Sequence, residues 1–337
     1  MNLTPPKQGT AMRLVRPLLV SALLALAWNA HSQGAAAPVA PAAPPIALPK
    51  PPPVPLLWKV SDADNAVYIL GSFHLLKPDD YPLSPDVDAA FADAEKVVFE
   101  LSPEEMASPT LAVTMAQAAL RTDGTRLDSE LDAATAARLR AWVDRNQDAL
   151  ARSGITAQAL QMFEPWFVSL TVTLTEMSKL GLDPALGLDR HFAEAAGKAG
   201  KRTGALETGA QQVAFLDGMN RDEQRQMLAE ALDESQDGRA EMEALHRHWR
   251  EGDGEAILQG MAGEMQVRYP KLYRAINVER NDAWVPKIEQ RLKSEPDDTL
   301  LVVGALHTLG SDGIVEKLRA RGYTVERICS ACEAAAN

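Results

Sequence analysis

Apolar residues are arranged along this chain in two rhythms. Short continuous apolar runs at residues 56–60, 66–70, 96–101 and 299–303 have the length and β-branched content of buried strands. The polar SDADN segment at 61–65 separates the first two runs and predicts a hairpin. Elsewhere the spacing is helical. An alanine-rich helix is expected from Ser84 to Glu95, with Ser84 as its cap and Pro85 in its first turn. Helical spacing then runs from Ser102 to about Leu180, interrupted at Gly124, Gly154 and Pro165, and returns from Asn220 to Lys293 and over 310–321. Two shorter strand signals lie at 204–207 and 323–328.

One pattern occurs twice. Residues 67–74, VYILGSFH, lead through a helix into VVFE ending at Glu100, and residues 300–307, LLVVGALH, lead through a helix into YTVE ending at Glu326. The expected fold is therefore α/β (α+β mixed), with two related strand–GxxH–helix–strand halves building one sheet core. The strands are apolar enough to be covered on both faces. A large helical insertion, about 103–200 and 220–295, separates the halves within a body spanning 56–328, and a C-terminal tail covers 329–337.

The N-terminal stretch follows a different logic. Arg13 and Arg16 precede an apolar run between Pro17 and Trp28, followed by small residues with a cleavable pattern at Ala25-Leu26-Ala27. Residues 1–37 thus read as a signal peptide, with Met12 as an alternative start. The run is shorter than the roughly 20 apolar residues a membrane span needs. The expectation is an exported protein, periplasmic or secreted, touching the membrane only through this segment if it is uncleaved. Residues 38–55 form a Pro-rich linker in which nine of eighteen residues are proline, an extended spacer by composition. Cys329 and Cys332 are the sole cysteines and read as a tail disulfide or two idle thiols.

With 34 Lys and Arg against 46 Asp and Glu, the chain carries a net charge of −12. Residues 1–55 hold four basic residues and no acids, so the body is more acidic still. Such a surface repels phosphate backbones, which disfavours nucleic-acid binding. The sequence lacks HExxH, GxSxG, a P-loop and a GxGxxG after a strand, so the zincin, serine-hydrolase and nucleotide-binding signatures are absent.

What remains is a set of histidines and acids at strand ends. His74 and His307 each lie three residues after a glycine that closes an apolar run, Glu100 ends the next strand, and Glu207 ends GALE. Side chains at such strand mouths converge on the usual ligand crevice of α/β sheets. Two imidazoles with one or two carboxylates suit zinc, manganese, iron or cobalt, and Glu100 placed among buried residues must meet a cation or a donor. The other histidines carry less. His31 lies in or beside the signal, His191 is explained by a helix start near Asp189, and His246 and His248 are expected on a solvated helix face. Arg280 and Asn281 lie on a charged helix that would ordinarily be surface.

At these residues the chain resembles a known family. VYILGSFHLLKPDDYPL, KVVFEL, GLDRHF, TGALETGAQQ, WREGD, VERNDAW and LVVGALHTLGSDGIVEKLRARGYTVERI are similar, in order, to the blocks of the TraB/GumN (PrgY-like) family. That family is similar in turn to the Tiki metalloproteases and to the erythromycin-esterase/ChaN-like group. The resemblance implies that His74, Glu100 and His307 hold a divalent metal (Mn, Co or Zn), while Glu207, Arg280 and Asn281 are catalytic, with Glu100 and Glu207 interchangeable in role. It implies metal-dependent hydrolysis of a peptide or protein substrate, and a homodimer is compatible with it. The alternatives are a non-catalytic peptide-, haem- or metal-binding envelope protein, or a scaffold of envelope machinery. Ser72 stands where the family often has threonine.

Overall fold

The computed structural model describes residues 50–332. The stretch read as a signal peptide, most of the Pro-rich segment and the last five residues lie outside the described residues. Six strands form one mixed sheet: β1 (Leu57–Ser61), β2 (Ala66–Ser72), β3 (Lys96–Phe99), β4 (Arg202–Ala205), β5 (Thr299–Gly304) and β6 (Val325–Arg327). Their order across the sheet is β4-β3-β5-β2-β1-β6. The predicted hairpin is present, with β1 antiparallel to β2. The four strands β4, β3, β5 and β2 run parallel. Every residue of β2 and β5 is buried, as their unbroken apolar runs require.

The helices that matter here are α1 (Pro85–Asp93), α2 (Pro165–Lys179), α3 (Leu188–Ala199), α4 (Arg221–Asp237), α5 (Arg239–Glu251), α6 (Glu279–Ser294), α7 (Ala305–Thr308) and α8 (Ile314–Ala320). Ser84 caps α1 by accepting from the amide of Val87, with Pro85 following it, as the sequence predicted. The helical insertion is divided between two cores. Trp166, Leu170 and Met177 of α2 join the main core, while Val168 and Val172 pack with Leu228 and Leu232 of α4 in a smaller one. Among the described residues no helix is long and apolar enough to cross a membrane.

Two expectations are corrected. The linker does not stay clear of the body over its full length: Pro53 and Pro55 are buried, and the Val54 amide donates to the Arg250 carbonyl at 2.7 Å. His246 is not on a solvated face; it is buried, and its Nε2 lies 2.8 Å from Oδ2 of the fully buried Asp80. The reason is periodicity, since His246 shares the inward stripe of α5 with Met242, Leu245 and Trp249. Arg280 and Asn281, which their charged helix alone would put at the surface, are buried.

The internal echo holds where it concerns the site. β2 and β5 are parallel neighbours, and Ser72 pairs in register with Gly304. The final strands of the two halves are not equivalent, because β3 pairs with β5 whereas β6 lies at the far edge beside β1 with Glu326 exposed. At the tail, Cys329 and Cys332 are joined as a disulfide.

Candidate functional site

Four parallel strands end on the same side of the sheet and deliver the predicted side chains together. β2 runs into Gly71-Ser72-Phe73-His74, and β5 into Gly304 and the single turn α7 that carries His307. Glu100 follows β3 and Glu207 follows β4. The parallel pairing continues past the strand ends, where the Glu207 amide donates to the Glu100 carbonyl at 3.0 Å. Arg280 and Asn281 come from the first turn of α6, just after a π-helical segment at Arg274–Val278. Interrupted turns of this kind occur often at functional sites. His74, Glu100, Glu207, Arg280, Asn281 and His307 thus share one buried cluster, none more than 7% exposed.

Arg280 is the hub. Its Nη2 donates to Glu100 Oε2 at 2.6 Å and to Glu207 Oε1 at 2.5 Å, and its Nε donates to Glu207 Oε2 at 3.2 Å. Its Nη1 donates to the Ile276 carbonyl and lies 3.1 Å from His307 Nε2. The guanidinium carbon sits 4.6 Å from the Trp284 ring centre, a cation–π contact. Burial works against its charge, but the two carboxylates outweigh it and raise the Arg280 pKa. Burial drives the Glu100 carboxyl above its ordinary range, with Arg280 pulling the other way.

The two histidines are held alike. His307 Nδ1 lies 2.8 Å from Asn281 Oδ1, and Asn281 Nδ2 donates to the Asp312 carbonyl. With that amide so oriented, Nδ1 carries the proton and Nε2 offers a lone pair toward Arg280. Burial, then Arg280 and His74, hold the His307 pKa well below its ordinary value, so the ring is neutral. His74 Nδ1 lies 2.6 Å from Asp189 Oδ2, which also accepts from Ser72 Oγ at 2.9 Å. Burial pulls the His74 pKa down, but the Asp189 carboxylate prevails and the net direction is up. His74 Nε2 is buried with no hydrogen-bond partner among the described residues. Glu207 is fully engaged, since Gln212 Nε2 also donates to its Oε1 at 2.8 Å.

The sequence reading sets His191 beside Asp189 and passes over Asp189 itself. The signal is present: GLDRHF begins with a glycine that only a close approach demands. A Cβ on Gly187 would lie 2.0 Å from the His74 carbonyl oxygen. Gly187 lets the start of α3 abut His74, and the Leu188 amide fastens it to the Phe73 carbonyl at 3.2 Å.

The donor chemistry suits a divalent ion. A Cβ on Gly304 would meet Glu100 Oε1 and His74 Nε2, each at 3.3 Å, so these two atoms face one small space. His307 Nε2 lies 3.9 Å from the same Glu100 oxygen. Each imidazole has its Nδ1 held by an acceptor and its Nε2 directed inward, the arrangement metal-binding histidines need. Among the described residues no three such side chains are already arranged to hold an ion. Arg280 engages both Glu100 and His307, so coordination by all three residues requires the guanidinium to yield.

The family model described as the TraB/PrgY/gumN family matches residues 56–327, and the chain belongs to that family. No curated protein and no solved structure matched the chain.

Proposed function

We propose that this TraB/PrgY/gumN family member is an exported, metal-assisted hydrolase acting on a peptide or protein. The observation that carries the reading is the convergence of His74 Nε2 and Glu100 Oε1 beside Gly304, with His307 Nε2 close to the same oxygen. His74, Glu100 and His307 would hold a divalent ion, with Mn, Co and Zn all compatible with nitrogen and carboxylate donors. Such an ion, when bound, supplies Lewis-acid polarisation of a carbonyl and makes water far more acidic, lowering its pKa toward ~7. Asn281 has both ends of its amide engaged, so its part is to orient His307. Glu207 would accept a proton from water once one of its oxygens is released by Arg280 or Gln212. Arg280 would then have guanidinium donors available to a developing oxyanion.

The test strips the full-length protein of metal and titrates Mn²⁺, Co²⁺ and Zn²⁺ by calorimetry, alongside turnover of a peptide library. Binding and turnover in wild type, both lost in a His74→Ala/His307→Ala double variant, support the reading. No binding by wild type, or equal binding by the double variant, sinks it. The closure of the cluster favours a second reading, a non-catalytic binder of peptide, haem or metal. Recovery of an intact peptide from a stoichiometric complex, without cleavage over hours, would select it.

A further inference from the structure

We propose that Asp189 is the positioning residue of His74, holding the ring so that Nε2 is its free, inward-facing atom. The inference rests on His74 being a site residue, but not on what His74 does there. Three observations carry it. The His74–Asp189 contact, at 2.6 Å, joins side chains that are each 2% exposed. Ser72 Oγ donates to the same oxygen, which leaves Asp189 Oδ2 oriented toward Nδ1. The Nε2 on the opposite side of the ring is the atom left without a partner, and it faces Glu100 Oε1 across the space beside Gly304.

Stability alone does not explain this carboxylate. Burying a charged group is expensive even when it is paired, and an apolar pair of similar volume generally serves a core as well or better. Asp189 Oδ1 is also buried without a partner among the described residues, a further cost that packing does not offset. The chain nevertheless keeps Gly187 so that α3 can bring Asp189 against His74. A carboxylate behind an imidazole fixes its tautomer and ring plane, and removing such a partner typically lowers metal affinity or activity by about 10–100-fold.

The experiment reads the tautomer directly. Full-length protein labelled with ¹⁵N-histidine is examined by long-range ¹H–¹⁵N correlation at a pH where the ring is neutral, with His74 assigned by its loss in His74→Gln. Wild type is expected as the Nδ1–H form. Asp189→Ala is expected to mix in the Nε2–H form, while Asp189→Asn, whose amide oxygen still accepts, retains Nδ1–H. Mn²⁺, Co²⁺ and Zn²⁺ affinities are measured on the same samples, with Asp189→Ala weaker by about 10–100-fold where wild type binds. An Nε2–H ring in wild type overturns the proposal, as does a folded Asp189→Ala protein with unchanged tautomer. Should Asp189→Ala fail to fold, the wild-type and Asp189→Asn spectra still decide. If wild type binds no metal, the metal-assisted reading falls while the tautomer result stands by itself.

Discussion

Arg280 and Glu100, 180 residues apart in sequence, meet at 2.6 Å inside the protein, and the same guanidinium neutralises Glu207. Removing the cation strands two carboxylates in a buried cluster. Breaking a buried ion pair from one side generally costs about 3–5 kcal/mol. Arg280→Met is therefore expected to lose stability on that order in urea unfolding. Adding Glu100→Gln to that variant should restore part of the loss, because one of the stranded charges is then absent. If Arg280→Met is as stable as wild type, the cluster is not held by its charges. In the metal-assisted reading Arg280→Met should also bind Mn²⁺ or Zn²⁺ more tightly than wild type, since the guanidinium no longer competes for Glu100 and His307.

Gly304 separates the two halves of the site. Its backbone, φ −51° and ψ 138°, is open to any residue, so alanine there acts through its methyl group alone. That methyl would press on Glu100 Oε1 and His74 Nε2, each at 3.3 Å, and would touch His307 Cδ2 at an ordinary 3.6 Å. Gly304→Ala should cost about 1–3 kcal/mol by crowding and, in the metal-assisted reading, abolish metal binding and turnover more completely than that loss explains. A folded Gly304→Ala protein with wild-type metal affinity would show that the proposed ion does not occupy this space.

The buried histidines give stability a defined pH dependence. His307 and, through burial, His191 have folded pKa values below the ordinary 6.5. Both hold a proton less readily in the fold than when unfolded, so the unfolded state binds more protons as pH falls through about 6.5. Stability should decline as pH is lowered from about 6.5 to 5.5. His74 has the opposite sign: its raised pKa gives a contribution fully present below 6.5 and lost as pH rises through the folded value. Urea midpoints across this range check the slope, and His191→Gln should flatten it. A wild-type slope of zero between pH 6.5 and 5.5, below the range in which His74 acts, would mean that the fold does not hold the two rings deprotonated.

Much of this organisation was legible in the sequence because it depends on local pattern. Unbroken apolar runs marked β2 and β5, and the two GxxH elements fell on neighbouring strand ends. Local pattern put His246 in solvent and, without the family resemblance, would have left Arg280 and Asn281 on the surface, for a shared reason. A charged side chain on a helix looks solvated until its long-range partners are known, and those partners (Glu100, Glu207 and Asp80) are brought up by distant strands and loops. For His246 a local signal did exist, in the stripe it shares with Met242, Leu245 and Trp249. For the Arg280 hub there was none, because its geometry depends on the pairing of β3 with β4. The base role expected of Glu207 likewise could not reveal that both of its oxygens are engaged.

Two glycines of α3 and its cap should respond to the same substitution in opposite senses. Gly187 precedes the helix with φ −59°, a value alanine accepts, so any cost arises from contact. Its added methyl would lie 2.0 Å from the His74 carbonyl oxygen and 2.6 Å from the carbon, backbone atoms that cannot rotate away. The start of α3 would have to retreat, loosening the Leu188–Phe73 backbone bond and drawing Asp189 off the His74 ring. Gly187→Ala is expected to lose about 1–3 kcal/mol and, in the metal-assisted reading, to weaken metal binding in the same direction as Asp189→Ala. Gly197, ten residues further along the chain and inside the helix, would have nothing within 4 Å of an added methyl. There alanine removes only the entropic cost of glycine, and Gly197→Ala should gain up to about 1 kcal/mol. Urea unfolding of the two variants side by side isolates the contact, because both carry the same added methyl group. A Gly187→Ala protein as stable as Gly197→Ala would mean that α3 does not bear on His74, and the positioning role of Asp189 would lose its scaffold.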